Sequence, residues 1–184
     1  MMFERLTSQV LHPLIVLPLS GILLLYSRNL SLGNIVTWVL TYILTALVPT
    51  TLTAWRTGDK GLDVISRSQR NRSYLVGVTS MCLTLLAAYY ISAPEAVVRL
   101  GGFAVISSII FGVANHFSKV SIHTGAITFA AGAFTTEIPT LTFTGLLLSV
   151  PVGWSRVKLD CHTKRQVIQG GILGLACGLA ASFI

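Results

Sequence analysis

Two short polar segments in an otherwise apolar chain carry the residues that could do chemistry. They are Lys119, Ser121 and His123 in the first segment, and Ser155, Arg156, His162 and Gln166 in the second. Imidazole, guanidinium and hydroxyl groups together are suited to binding and transferring phosphoryl groups. We therefore interpret the two segments as parts of one phosphate site at a membrane boundary.

The composition places this site in a membrane protein. The 184 residues are 53% hydrophobic and 10% charged, with a mean hydropathy of +0.76. One soluble core could not hide so much apolar surface, so we predict a single integral membrane domain spanning residues 1–184. The basic residues are not interleaved with aromatic residues as in a nucleic-acid surface, and we predict membrane lipids rather than nucleic acid as partners.

Apolar runs predict the helices of an all-α transmembrane bundle with six to seven helices. The predicted spans are Val10–Tyr26, Asn34–Thr53, Tyr74–Ile91, Ala96–Phe117, Ile122–Phe134, Thr140–Gly153 and Val167–Phe183. Backbone groups in lipid must pair within their own segment, which favours helices. The fifth and sixth runs are short for a full crossing of about 20 residues. The one sizeable predicted loop runs from Trp55 to Ser73.

The distribution of basic residues predicts the orientation. With seven crossings, eleven of the thirteen lysines and arginines share one face, and Arg28 and Arg99 lie opposite. Since basic residues concentrate on the cytoplasmic side, we predict a cell-membrane protein whose N-terminus and catalytic loops face the cytoplasm.

Helical geometry links the polar residues to these elements. If the second segment is helical, Ser155, His162 and Gln166 share one face. His123 opens an apolar helix, where backbone N–H groups and the positive dipole end favour an anion. His12 and His116 fit neither segment, and we interpret them as ordinary boundary residues.

The spacing of these residues resembles two signature motifs of the type 2 phosphatidic acid phosphatase superfamily. The motif S-R-x5-H-x3-D is matched by Ser155, Arg156 and His162, and the motif P-S-G-H by Ser121 and His123. A looser match to the first motif, K-x6-R-P, places Arg70 before an apolar helix.

The resemblance implies a metal-independent lipid phosphatase that needs no cofactor. By analogy, His162 attacks phosphorus, His123 protonates the leaving oxygen, and Gln166 orients the nucleophilic imidazole. The implied phosphate-binding residues are Arg70, Lys119, Ser121, Ser155 and Arg156. The substrate would be a phosphatidate-type or isoprenoid lipid phosphate, either a monoester or a diphosphate.

Three departures from the motifs leave alternatives open. Gln166 replaces an aspartate, Ile122 replaces a glycine, and Asp63 stands where the first motif has lysine. Lys60 or Lys119 could supply the missing ammonium. An amide can orient an imidazole but stabilises its positive charge less than a carboxylate does. The second hypothesis is therefore a weak or inactive relative that binds or translocates anionic lipids.

The remaining small and sulfur-containing residues have structural interpretations. Gly170, Gly174 and Gly178 recur at every fourth position, a spacing that lets transmembrane helices pack closely. Cys82, Cys161 and Cys177 lack the spacing of a metal site.

Overall fold

The computed structural model describes residues 2–57 and 67–183, and these residues form helices joined by short turns. The α-helices are α1 (Met2–Val10), α2 (Pro13–Ser27), α3 (Leu32–Tyr42), α4 (Val48–Thr57), α5 (Arg67–Tyr90), α6 (Glu95–Phe117), α7 (Ile122–Ala133), α8 (Pro139–Lys158) and α9 (Lys164–Ser182). A π-helical turn, Ile43–Leu47, joins α3 to α4. No strand occurs in the part of the chain that the structure describes, which confirms the all-α prediction.

Five of the seven predicted apolar runs each fall largely on one helix, whereas the run Val10–Tyr26 crosses the break between α1 and α2 and the run Asn34–Thr53 covers α3, the π-helical turn and part of α4. Within residues 2–57 and 67–183, four helical stretches are long and apolar enough to cross a membrane: Met2–Ser27, Leu32–Arg56, Gln69–Tyr90 and Glu95–Phe117. Helices α7, α8 and α9 are not among these four, and at 12 residues α7 is about 18 Å long, short of the hydrocarbon core. The structure thus supports a membrane protein with four candidate spans.

The predicted loop between Trp55 and Ser73 is too long at both ends. Helix α4 continues to Thr57 and α5 begins at Arg67, so Arg70 lies in a helix rather than in a loop. Lys60 and Asp63 lie outside the described residues.

The helices belong to two compact units. The first unit combines the chain up to Leu24 with the chain from Ser118 onward, and the second unit begins at Leu25 and ends at Phe117. Seven of the eight predicted site residues therefore belong to the first unit, and Arg70 belongs to the second.

The second unit contains α3 to α6 and the π-helical turn. Thr50, which follows the turn, approaches Gly77 of α5 so closely that a methyl group on Gly77 would lie 2.9 Å from the Thr50 hydroxyl. Further along, the amide nitrogen of the fully buried Asn115 donates to Asn71 Oδ1 at 2.8 Å. This polar contact links α5 and α6.

The break between α1 and α2 was not predicted. Pro13 lacks an N–H and disfavours helical geometry at the preceding residue, so α1 ends before it and α2 starts on it. The ring nitrogen Nδ1 of His12 accepts a hydrogen bond from Leu14 N at 3.2 Å and caps the new helix. The chain therefore turns at a histidine whose ring orientation is fixed by a backbone group.

Helix α7 is the centre of the first unit. Ten of its twelve residues are buried, and α8 and α9 pack against it. The glycine stripe of α9 lies directly on the α7 backbone, since added methyl groups at Gly170, Gly174 and Gly178 would overlap the carbonyl oxygens of Ser121, Gly125 and Phe129. The predicted packing role of these glycines is confirmed.

The expectation that Ser155, His162 and Gln166 share one helical face is wrong. Helix α8 ends at Lys158, and α9 begins at Lys164 after a tight turn. Asp160 has a φ of 54°, the left-handed geometry that short polar residues tolerate, and it reverses the chain there. His162 therefore lies in a turn between two helices.

A methyl group at Gly174 should destabilise the protein strongly. It would overlap both the Gly125 carbonyl and the Thr128 hydroxyl, and overpacking against backbone costs about 1–3 kcal/mol or more. We expect Gly174→Ala to lower the thermal unfolding midpoint in detergent. Gly21→Ala on α2 is the control, because nothing lies within 4 Å of its added methyl group. Equal midpoints for the two variants would contradict the close packing of α7 and α9.

Candidate functional site

The turn after α8 brings His162 back toward Arg156. The backbone carbonyl of Arg156 accepts hydrogen bonds from Cys161 N at 3.1 Å and from His162 N at 3.2 Å. These bonds satisfy a carbonyl that the last turn of a helix would otherwise leave unpaired. The capping geometry of α8 thus fixes the backbone of His162 relative to that of Arg156.

Hydrogen bonds join the two polar segments. The Lys119 ammonium donates to Cys161 O at 3.0 Å, and the His162 ring nitrogen Nδ1 lies 3.1 Å from Lys119 O. The backbone N–H of Ser121 donates to Gln166 O at 3.1 Å. The structure therefore brings together segments that are far apart in sequence, as their shared chemistry predicts.

The contact with Lys119 O determines the tautomer of His162. A carbonyl oxygen can only accept, so Nδ1 must carry the proton that it donates. In the neutral ring the lone pair is then on Nε2. His162 is half-buried, and in this tautomer its Nε2 has the electronic state that a nucleophile requires.

Ser121 is the N-cap of α7 and is fully buried. Its oxygen accepts from Thr124 N at 3.5 Å and from the Thr124 hydroxyl at 3.2 Å. A serine hydroxyl has two acceptor sites and one proton, so these two bonds leave its own proton for another acceptor. Ser121 combines a structural role with the donor capacity expected of a phosphate ligand.

Ser155 is placed differently from the prediction. It is fully buried, and its hydroxyl donates to Val152 O in the preceding turn of α8 at 2.7 Å. Its single proton is thus directed to the helix backbone. In this arrangement Ser155 offers no hydrogen-bond donor to a phosphate.

Arg156 is buried, at 3% exposure, near the end of α8. Its guanidinium nitrogen Nη1 donates to the hydroxyl of Ser8 on α1 at 2.7 Å. A buried guanidinium is costly unless it is hydrogen-bonded, and an anion bound beside it would contribute further. Ser8 was not predicted as part of the site.

His123 packs against a second histidine that sequence reasoning missed. Its ring, 7% exposed, meets the ring of His12 with centroids 4.7 Å apart and planes at 86°. His12 matches no motif position and precedes a proline, so no local pattern predicts this contact. The one available signal is that it is among only four histidines in the chain.

The side chain of Gln166 completes a capping box rather than reaching His162. Its amide oxygen accepts from Thr163 N at 3.1 Å, and Gln166 N donates to the Thr163 hydroxyl at 3.3 Å. This pairing satisfies two N–H groups at the start of α9. The carbonyl of Lys119 is the group that accepts from the imidazole.

The structure also shows where the remaining motif positions, Ile122 and Arg70, lie. Ile122 is 36% exposed, so the side chain that replaces glycine points outward from the packed face of α7. Arg70 is buried on α5 in the second unit.

Comparison of the chain with protein-family models, curated proteins and solved structures finds no match.

Replacing Gln166 should reveal its structural role. Gln166→Ala removes half of the capping box and should cost about 1 kcal/mol of stability, whereas Gln166→Glu keeps an acceptor at the same position. We expect a lower thermal midpoint for the alanine variant and a midpoint near that of the unaltered protein for the glutamate variant. If the alanine variant is as stable as the glutamate variant, the capping role is refuted.

Proposed function

We propose that this chain is an integral membrane lipid phosphatase that works through a phosphohistidine intermediate without a metal ion or cofactor. The observation that carries the proposal is the contact between the His162 turn and the segment that leads into His123, made by Lys119 at both its ammonium and its carbonyl. These contacts support a single site with a nucleophile and a proton donor.

In the first step, Nε2 of His162 attacks phosphorus and the bond from phosphorus to the lipid oxygen breaks. Protonated His123 gives its proton to the leaving oxygen, and the lipid alcohol departs. For a diphosphate substrate the leaving group is the lipid monophosphate. Arg156 and Ser121 hold the equatorial oxygens, where negative charge is spread in the transition state.

In the second step, neutral His123 takes a proton from water as the water oxygen attacks phosphorus. The bond from phosphorus to Nε2 breaks, inorganic phosphate leaves, and His123 is protonated again. Lys119 O accepts from Nδ1 throughout and orients the ring. A carbonyl dipole stabilises positive charge on the ring less than a carboxylate would, so we expect a modest rate.

An apolar groove beside the turn supports a lipid substrate. It lies between α7, α8 and α9, has a volume of about 480 Å³, and is lined by side chains such as Trp154, Val157 and Ile168. Lys164 lies in the same lining. A hydrocarbon tail in the groove with its anionic head near Lys164 would satisfy both features.

In the membrane we propose a bundle of six to seven helices in the cell membrane, with the N-terminus and the catalytic turns on the cytoplasmic side. The four candidate spans and the concentration of basic residues between and after them support this arrangement.

A second candidate function is binding or translocation of anionic lipids without hydrolysis. The engagement of Gln166 in a capping box favours it, because its side-chain amide oxygen accepts from Thr163 N and does not stabilise a charged imidazole in place of the aspartate of the motif.

Phosphate release should separate the two functions. We expect purified protein in detergent, without added metal, to release phosphate from a panel of lipid monophosphates and diphosphates. His162→Ala should abolish release and phosphohistidine formation, and His123→Ala should reduce release by about 10²-fold or more. The assay measures inorganic phosphate, with acid-labile labelling of the protein as a second readout.

His116→Ala is the matched control, since His116 is exposed on α6 and contacts Phe117. It should retain full activity. Lipid binding by the unaltered protein without any hydrolysis would favour the second function. Equal activity in all three variants would refute the proposed mechanism.

Single cysteines should test the orientation. In a background lacking Cys82, Cys161 and Cys177, we expect cysteines at positions 67 and 164 to react with a membrane-impermeant reagent only after the membrane is opened. The basic residues there should lie on the cytoplasmic side. Labelling from outside intact cells would reverse the orientation.

A further inference from the structure

We propose that the segment from Ser8 in α1 to His12 at the junction with α2 belongs to the catalytic site, with His12 positioning the His123 imidazole and Ser8 positioning the Arg156 guanidinium. This inference rests on the proposed function and adds two positioning residues to it.

Ser8 and Arg156 form a direct hydrogen bond between two buried side chains. Ser8 is the buried residue of α1, at 5% exposure, and its hydroxyl oxygen lies 2.7 Å from Nη1 of Arg156. The bond is charge-assisted because the guanidinium is ionised, and it is poorly screened because both partners are withdrawn from solvent. A guanidinium held in this way presents a defined edge to a phosphate.

The geometry at His12 is equally constrained. Leu14 N donates to Nδ1 of His12, and this bond fixes the ring plane at the junction of α1 and α2. The fixed ring then meets the His123 ring nearly perpendicularly, at 86°. His123 is buried on α7, so the contact restricts the directions in which its proton can be presented.

One segment makes both contacts. Ser8 and His12 stand at positions i and i+4, and they reach residues on two different helices, α8 and α7. A third contact secures α1, because the rings of Phe3 and Trp154 pack with centroids 6.1 Å apart. The segment thus bridges the predicted phosphate ligand and the predicted proton donor.

The role of His12 predicts a dependence on the leaving group. General-acid catalysis matters for an alkoxide, which must be protonated as it departs, and matters little for an acidic nitrophenol. A residue that acts through His123 should therefore affect alkyl phosphates selectively. A residue that only supports the fold should affect both esters equally.

The experiment compares an alkyl phosphate with an alkyl-substituted nitrophenyl phosphate in detergent. His12→Asn keeps a hydrogen-bond acceptor for Leu14 N but removes the ring. We expect this variant to keep the thermal midpoint of the unaltered protein, to lose roughly tenfold in kcat/KM on the alkyl ester, and to change less than about twofold in kcat/KM on the nitrophenyl ester. The comparison uses kcat/KM because it covers only the steps up to loss of the leaving group, whereas hydrolysis of the phosphohistidine is common to both esters. His12→Phe keeps the ring but loses the acceptor that fixes its plane, so it should lower the midpoint and reduce kcat/KM on the alkyl ester less than His12→Asn does.

Two reference variants calibrate these results. His123→Ala should show the same leaving-group selectivity as His12→Asn, only larger, and His162→Ala should lose activity on both esters. An unchanged ratio of alkyl to nitrophenyl rates in His12→Asn would overturn the role of His12.

The role of Ser8 is tested by a separate measurement, the KM of its variants. Ser8→Ala should raise KM for both esters by about tenfold with kcat little changed, since it affects phosphate binding through Arg156, and Ser8→Thr should restore KM. A fall in kcat without a change in KM, or no rescue by threonine, would overturn the role of Ser8.

Failure of the proposed function can be distinguished from failure of the inference about His12 and Ser8. It would appear as no hydrolysis of either ester by the unaltered protein. In that event, nitrogen NMR of labelled histidines tests the contact: His12→Asn should shift the ring signals of His123 and leave those of the control residue His116 in place. Unchanged His123 signals would overturn the inference.

Discussion

The first unit depends on the close approach of two helix backbones. Glycines 170, 174 and 178 on α9 lie against the carbonyl groups of α7, where no larger residue fits. This approach allows Ser121 N to donate to Gln166 O, and it withdraws most of α7 from its surroundings. Because α7 cannot shift or rotate without losing these contacts, His123 is held at a fixed angle on its first turn.

Backbone groups at helix ends perform most of the positioning around this helix. The carbonyl of Arg156 holds the His162 turn, the carbonyl of Lys119 accepts from the imidazole, and Leu14 N orients His12. The Arg156 carbonyl and Leu14 N can make these bonds because helices leave their terminal groups without an intrahelical partner, and the Lys119 carbonyl lies in the link between α6 and α7. A site built in this way gains precision from helix geometry, and in the phosphatase that we propose its side chains need to supply only the nucleophile, the acid and the positive charge.

The helices of the bundle could be predicted from the sequence because apolar runs and glycine spacing are local signals. The pairing of the two polar segments followed from shared chemistry, and the hydrogen bonds between them agree with it. The turn at Asp160 could not be predicted, because the sequence from Ser155 to Gln166 is equally compatible with one continuous helix. The contacts of Ser8 and His12 depend on tertiary packing across most of the chain, and no local periodicity encodes such contacts.

The position of α9 in the chain has a consequence for biosynthesis. Helix α7 is made before its glycine-rich partner, with the whole of α8 between them. A nascent chain that has just completed α8 holds an α7 whose polar first turn and small residues still lack their covering surface. The final packing of α7 must therefore wait for α9, and the three helices should reach their final arrangement together rather than one after another.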